Sequence, residues 1–400
     1  MMGGRFAKAF WASGLLLTTL YAAPIPADEG TEPETYGIAT LPLPAPPHRF
    51  ITMGGFGSST FTIFDGDSGK MEGNISAGYI PNFASSPDGT KFYVSETYWT
   101  HGTRGPRQDI VTVYDAKTLA VEKEIPIPSR ALVNQLHNFG LSLSGHRGYV
   151  YAMQPASSVV WLDLKTETAG GTIDLPGCSM IYPIGDEGFA SLCGDGSLAT
   201  TLISDKGQVT TTKTKPFFDA NKDPIFDDSV TDTATGKAFF VSFTGLVYEA
   251  KLGATPTIEK PWSMQQAAGL PVAGTGVKEL TWRPGGHQMI TYHKASGKLF
   301  VIMHMGNYWT QDAGGSEIWV LDTKKHSLIS RFPLWAVPTS GSAAKTKPVY
   351  FRNIQVSQDE HPVIFLLNYE GNDMVLDATT GKVIRKIEAA SGGAVYVSGM

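Results

Sequence analysis

Apolar residues in this chain fall in short alternating or continuous runs broken by polar turns, the pattern of many brief β-strands. One run recurs. Thr60–Asp65, Ile110–Asp115, Val159–Asp163, Glu317–Asp322 and Asn372–Asp377 each pass through β-branched or aromatic residues, end on an aspartate and enter a turn. The aspartates are 50, 48, 159 and 55 residues apart. The long gap holds three periods, so two degenerate copies belong inside it, at Leu198–Asp205 and Leu246–Leu252. A polar turn followed by a β-rich run precedes the aspartate strand in most units, as in Ser86–Ser95, Leu143–Met153, Thr233–Phe243, His293–Met303 and Ser357–Leu367. A further short β segment follows it, for example Val121–Pro128 or Val383–Ala389.

A unit of this length with three or four strands is a propeller blade, which leaves both sheet faces exposed unless neighbours flank it on each side. A closed ring supplies those neighbours. The pattern therefore predicts an all-β fold, a seven-bladed β-propeller with about four antiparallel strands per blade, over residues 48–400. Ring closure calls for a strand borrowed from one terminus, and either Tyr36–Leu43 or Ala394–Ser398 could supply it. Three stretches exceed what a blade needs: Tyr98–Asp109, Gly306–Ser316 and Ser263–Gly286, the last with a possible short helix at Met264–Ala268. Excess loops on a rigid ring commonly build the functional or partner face, and decorative surface is the alternative.

Composition adds limits rather than chemistry. Hydrophobic residues make up 42% of the 400, ample for a core, and the 44 glycines and 25 prolines are spread along the chain as turns require. The net charge of −5, with no basic stripe, argues against a nucleic-acid partner. Residues 1–27 read as an export signal: Arg5 and Lys8, then the uncharged run Trp11–Ala23, too short to span a bilayer, then a proline-rich stretch before Asp28. That reading makes the protein periplasmic, with an extension at residues 28–47 before the ring and no membrane span. Cys178 and Cys193 are the two cysteines of the chain. In an exported protein such a pair is expected to form a disulfide, here across two strands that turn at Gly185–Gly188. A metal site is the weaker alternative, since no histidine lies between them.

Motifs that would announce catalysis or a resident cofactor are missing: no C-x-x-C-H, H-E-x-x-H, G-x-S-x-G or phosphate-binding loop occurs. The nine histidines are scattered, and paired carboxylates such as Asp227–Asp228 read as solvated turn residues. The aromatic pairs Tyr98–Trp99, Phe217–Phe218 and Tyr308–Trp309 fall near loops or strand ends, where they suit either a partner surface or packing between blades.

Four regions carry a resemblance to a known family: Gly78–Gly89 with Arg104–Leu119; Asp174–Pro183 with Leu192–Thr200; Trp282–Phe300 with Glu317–Lys325; and Asn353–Leu367. In these segments the chain resembles the heavy subunit of methylamine dehydrogenase and of aromatic amine dehydrogenase, in the same order from about Arg49 to Lys386. The resemblance implies a seven-bladed ring whose Cys178–Cys193 segment holds an intrachain disulfide. It also implies an α2β2 assembly with a small, disulfide-rich light chain. There a tryptophan tryptophylquinone on the light chain oxidises primary amines to aldehyde and ammonia and passes electrons to a cupredoxin of the amicyanin or azurin type. By the same resemblance this chain holds no catalytic residue, cofactor or metal. Phe56 would match a phenylalanine that borders the substrate channel, although an ordinary blade-packing role is open to it. A stand-alone exported binding propeller and a lactonase-like propeller hydrolase are the alternative readings.

Overall fold

The recurring aspartates each close the same local structure. In a computed structural model, which describes residues 40–397 apart from 55–58, 131–132, 134, 154, 336–347, 369–370, 372 and 388–392, each carboxylate accepts amide N–H groups two and three residues on. The residue four places on, Gly69, Leu119, Glu167, His326 or Gly381, has φ between 50° and 74°. Each aspartate strand also carries a register shift against the next strand just before the turn. Aspartate satisfies amides that the turn would otherwise leave unpaired, so the side chain is part of the turn. The two degenerate copies are real third strands, Leu198–Ile203 and Leu246–Lys251, but their turns are built differently.

Seven antiparallel sheets result, five of four strands and two of five. Numbered in chain order, the blades span Arg49–Ser76, Tyr79–Ile127, Phe139–Asp174, Cys178–Lys213, Val230–Ser263, Thr281–Pro333 and Asn353–Ile387. Blades 2, 3, 4 and 7 each run as simple four-strand meanders from the tunnel outward, and blade 5 adds a short strand at Trp262–Ser263. Blade 6 has a split inner strand, Thr281–Pro284 and Ile290–His293, both paired with Lys298–Gly306. Blade 1 takes its inner strand from the C-terminus: Ala394–Val397 pairs antiparallel with Arg49–Met53, Phe50 opposite Val397. The C-terminal candidate thus closes the ring. The buried Gln288 of blade 6 locks it from the other side, its amide donating to the Val395 carbonyl (2.8 Å) and accepting the Val395 N–H (2.9 Å). Ahead of the ring, Leu41 is buried and its N–H bonds to the Lys117 carbonyl at 2.7 Å.

The core lies between blades. Phe50, Phe64 and Phe365 stack at the junction of blades 1 and 7, with centroids 4.5 and 5.3 Å from Phe50. Phe61, Phe83 and Tyr396 pack in tilted and edge-on contacts between blades 1 and 2. In blade 4 Cys178 and Cys193 face each other in register and are joined by a disulfide. Replacing both with serine is expected to cost about 3 kcal/mol, the loop-entropy value for a closure of this length. Urea unfolding of the oxidised protein and the double variant checks it, and equal midpoints would contradict it.

Meander connectivity sorts the turns by face. Turns between first and second strands, and between third and fourth, share one face of the ring. Turns between second and third strands, and the links from blade to blade, share the other. The aspartate turns are all on the first face, which is plain. The excess stretches all lie on the second.

Candidate functional site

Two features stand out on this scaffold, the elaborated face and the central tunnel. The face is built by extending strands as well as by loops. Tyr98–Asp109, expected as a loop, is mostly strand: Lys91–His101 and Arg104–Asp115 pair out to a turn at Gly102 and Thr103. The arm is extended because both strands continue to pair past the end of the blade, and it is anchored at its base. Asp109 receives the Thr97 hydroxyl (2.6 Å) and the Arg107 guanidinium (2.8 Å), and lies 3.7 Å from the fully buried Arg130. Arg130 donates to the Tyr79 carbonyl. Glu96, also buried, accepts the Gly78 N–H, the Tyr98 hydroxyl and the Thr112 hydroxyl, and burial pushes its carboxyl up.

Three further segments converge next to blade 6. Met264–Ala267 is a single helical turn as expected, capped by the Ser263 hydroxyl, which accepts the Gln266 N–H. Arg283, in the run Trp282–Gly286, is buried and donates to the Gly274 and Gly306 carbonyls, with its guanidinium carbon 5.7 Å from the centre of the Tyr308 ring. Tyr308 in turn donates to the Lys222 carbonyl at 2.5 Å. One guanidinium therefore ties together two long segments and, through Tyr308, a third. Gly286 has φ 134°, and a Cβ there would lie 2.6 Å from the Arg352 carbonyl that accepts the next two N–H groups.

The aromatic pairs divide. Phe217 packs inward against Phe218 and Tyr248, a structural pair. Trp99 packs edge-on against Tyr79 while Tyr98 is exposed. Tyr308 is buried, and Trp309 beside it is 62% exposed. The exposed large aromatics of the described residues, Tyr98, Trp309, Trp335 and Tyr350, all lie on the elaborated face, together with Val277, Leu280 and Met305. The other exposed apolar side chains lie mainly on outermost strands, as Met71, Val121 and Ile384 do. Apolar exposure concentrated on one face, with aromatics prominent, is the composition of a protein-binding surface.

The tunnel holds a cavity of about 400 Å³ reached from the plain face, between the turns at Ser86–Gly89 and Leu141–Leu143. Here the carboxylate pair departs from expectation. Asp228 is buried, lines this cavity and accepts the Ile290 N–H at 3.0 Å. The pair lies just before the inner strand Val230–Asp232, which faces the tunnel, so its first impression as a solvated turn is corrected. Burial pushes both the Asp227 and Asp228 carboxyls up. His137, also in the wall, is lowered to about 4 by burial and bonds to the Ser229 carbonyl at 2.7 Å. Phe56 lies outside the described residues; its described neighbours Gly54 and Ser59 are on the elaborated face.

Another buried acid, away from the tunnel cavity, gives a pH test. Asp373 accepts the Asn368 N–H at 2.8 Å through one oxygen, the other is buried with no hydrogen-bond partner among the described residues, and burial raises its pKa to about 7. The unfolded chain loses this proton near pH ~4 while the folded chain keeps it. Stability is therefore expected to fall as pH rises from there to about 7 and to level off above. Asp373→Asn should flatten that component, as urea unfolding of both proteins across the window would show. An unchanged slope would contradict it.

The chain is a closed seven-bladed β-propeller with one plain face and one elaborated, apolar-rich face. Among solved structures the chain superposes on a 6-phosphogluconolactonase homologue from Bacteroides uniformis (TM-score 0.55, 10% identity, 87% of this chain and 98% of that one). It also superposes on dihydro-haem d1 dehydrogenase NirN (TM-score 0.53, 14% identity, 90% and 77%). Identities this low carry the fold alone. Residues 50–398 match the methylamine dehydrogenase heavy chain family, and the chain belongs to that family. Methylamine dehydrogenase heavy chains from Methylobacillus flagellatus and Methylophilus methylotrophus are both 27% identical, covering 96% and 83% of this chain and 95% and 77% of their own lengths. The one from Paracoccus versutus is 25% identical over 83% of this chain and 74% of its own length. Among the described residues no helix is long and apolar enough to cross a membrane.

Proposed function

We propose that this chain is the large, non-catalytic subunit of a periplasmic amine dehydrogenase, exported by a signal peptide at residues 1–27. Its elaborated face receives a small light chain that carries tryptophan tryptophylquinone, in an α2β2 assembly. Membership of the heavy-chain family supports the assembly, and the single observation that supports the docking face is the gathering of exposed aromatics there. When bound to its own polypeptide the quinone takes up the electrons released as a primary amine becomes aldehyde and ammonia. This chain's part is to hold the light chain, to exclude water around the substrate path and to leave an approach for a cupredoxin acceptor of the amicyanin or azurin type. Phe56 is proposed to border the substrate channel, where an apolar ring limits width and excludes water.

Co-expression with the small-subunit reading frame tests this reading. The expected result is a coloured complex that copurifies in equal stoichiometry, and Phe56→Ala in that complex should change KM for bulky amines more than for methylamine. Purification of the chain alone, with the small subunit soluble and unbound, would contradict it.

A further inference from the structure

The tunnel cavity is chemically one-sided. Phe83, Phe139 and Tyr396 give it an aromatic wall, with the Phe83 and Tyr396 centroids 5.2 Å apart. Asp228 lies in the wall and Asp88 at the mouth, and among the described residues no lysine or arginine lines the space. His137 supplies no positive charge either, because burial keeps its imidazole neutral. The ionisable groups that can become charged against an occupant are therefore carboxyls, Asp88 at the mouth and Asp228 in the wall, whose burial favours the neutral acid until a cation reaches it.

Each element narrows the class of ligand. Ring faces carry negative potential and attract cations, most of all when these are weakly hydrated. A buried carboxyl is costly as an anion unless a cation reaches it, and Asp228 has Asp227 as its neighbour in sequence. A bare metal ion would leave most of a 400 Å³ space unfilled and would find its carboxylates at opposite ends of it. A volume of this size falls within the ~300–1,000 Å³ common for small organic ligands. We propose that the tunnel is a binding site for an organic ammonium ion with an apolar body, the cationic head held by Asp228 and by the Phe83, Phe139 and Tyr396 rings. The site opens on the plain face, so it stays reachable when a partner covers the other, and it stands apart from the docking proposed above.

Calorimetry on the purified chain with benzyltrimethylammonium, benzyl alcohol and benzoate tests it. The quaternary cation cannot form an imine, so its binding cannot be confused with turnover on a quinone. The expected result is cation binding in the micromolar to millimolar range, at least about tenfold tighter than the alcohol, and no benzoate binding. Asp228→Asn, which keeps an acceptor for the Ile290 N–H, should weaken the cation about tenfold or more and leave the alcohol unchanged. Phe139→Leu should likewise weaken the cation more than the alcohol, and it serves if the first variant does not fold. Equal binding of cation and alcohol, unchanged affinity in both variants, or no cation binding at all would overturn the proposal.

Discussion

Asp109→Ala is expected to destabilise the folded chain by about 3–5 kcal/mol, the range for stripping the partner from a buried ion pair. The Asp109 side chain is 4% exposed and stands between two guanidiniums, Arg107 at 2.8 Å and Arg130 at 3.7 Å. Without it the partly exposed Arg107 can turn toward water, but Arg130, at 1% exposure, cannot. Burial and the neighbouring Arg107 already lower the Arg130 pKa to about 10, with Asp109 the larger of the two acidic influences opposing them. The Thr97 hydroxyl loses its acceptor as well. The Tyr98–Asp109 arm should loosen along with the stability, so protection from hydrogen exchange should fall first in Lys91–Asp115. Asp109→Asn should lose less, since it still accepts one hydrogen bond. Urea unfolding measures the effect. A loss no larger than the ~0.5 kcal/mol of an ordinary surface change would show that Glu96 alone neutralises the guanidiniums.

The second large effect belongs to the surface. Trp309→Ala is expected to weaken the proposed light-chain docking by at least ~2 kcal/mol, about 30-fold in affinity, because tryptophans at the centre of protein interfaces are typical hot spots. Its ring is held edge-on to the buried Tyr308, with centroids 4.8 Å apart, which is in turn fixed by the Lys222 carbonyl and lies beside Arg283. That support presents the indole with little freedom left to lose on binding. Folding stability should barely change, as the side chain makes little of the core. Titration of the light chain against both proteins checks this, and unchanged affinity would move the docking surface away from blade 6.

How much of this was legible in sequence follows from what each feature depends on. The five aspartate turns were visible because the Asp side chain itself bonds to the turn's amides, so the chemistry repeats with the shape. Blades 4 and 5 were faint because their third strands lead into other turns, where no such side chain is required. The choice of closing strand was hidden: both termini carried a β-like run, and the C-terminal one is held by distant residues, the Arg49–Met53 strand and Gln288, 107 residues from Val395. Tyr98–Asp109 looked like a loop because Gly102, Gly105 and Pro106 interrupt it, yet the pairing continues to the hairpin tip. Asp228 was misread because burial in a ring depends on distance from the axis, which local sequence pattern does not encode. The disulfide was legible, since the turn at Gly185 sets the two cysteines opposite each other. Trp282–Gly286 was visible as the end of an over-long stretch and as part of a family-like run; its role, Arg283 binding two carbonyls of separate loops, needs the third dimension.

The proposed division of labour between two polypeptides is tested most directly by amine-dependent dye reduction, with the purified heavy chain and the reconstituted heavy–light complex assayed side by side over short aliphatic and aromatic amines. The expected result is no turnover and no quinone absorbance from the heavy chain alone, with both present in the complex. Amine oxidation by the heavy chain by itself would contradict it.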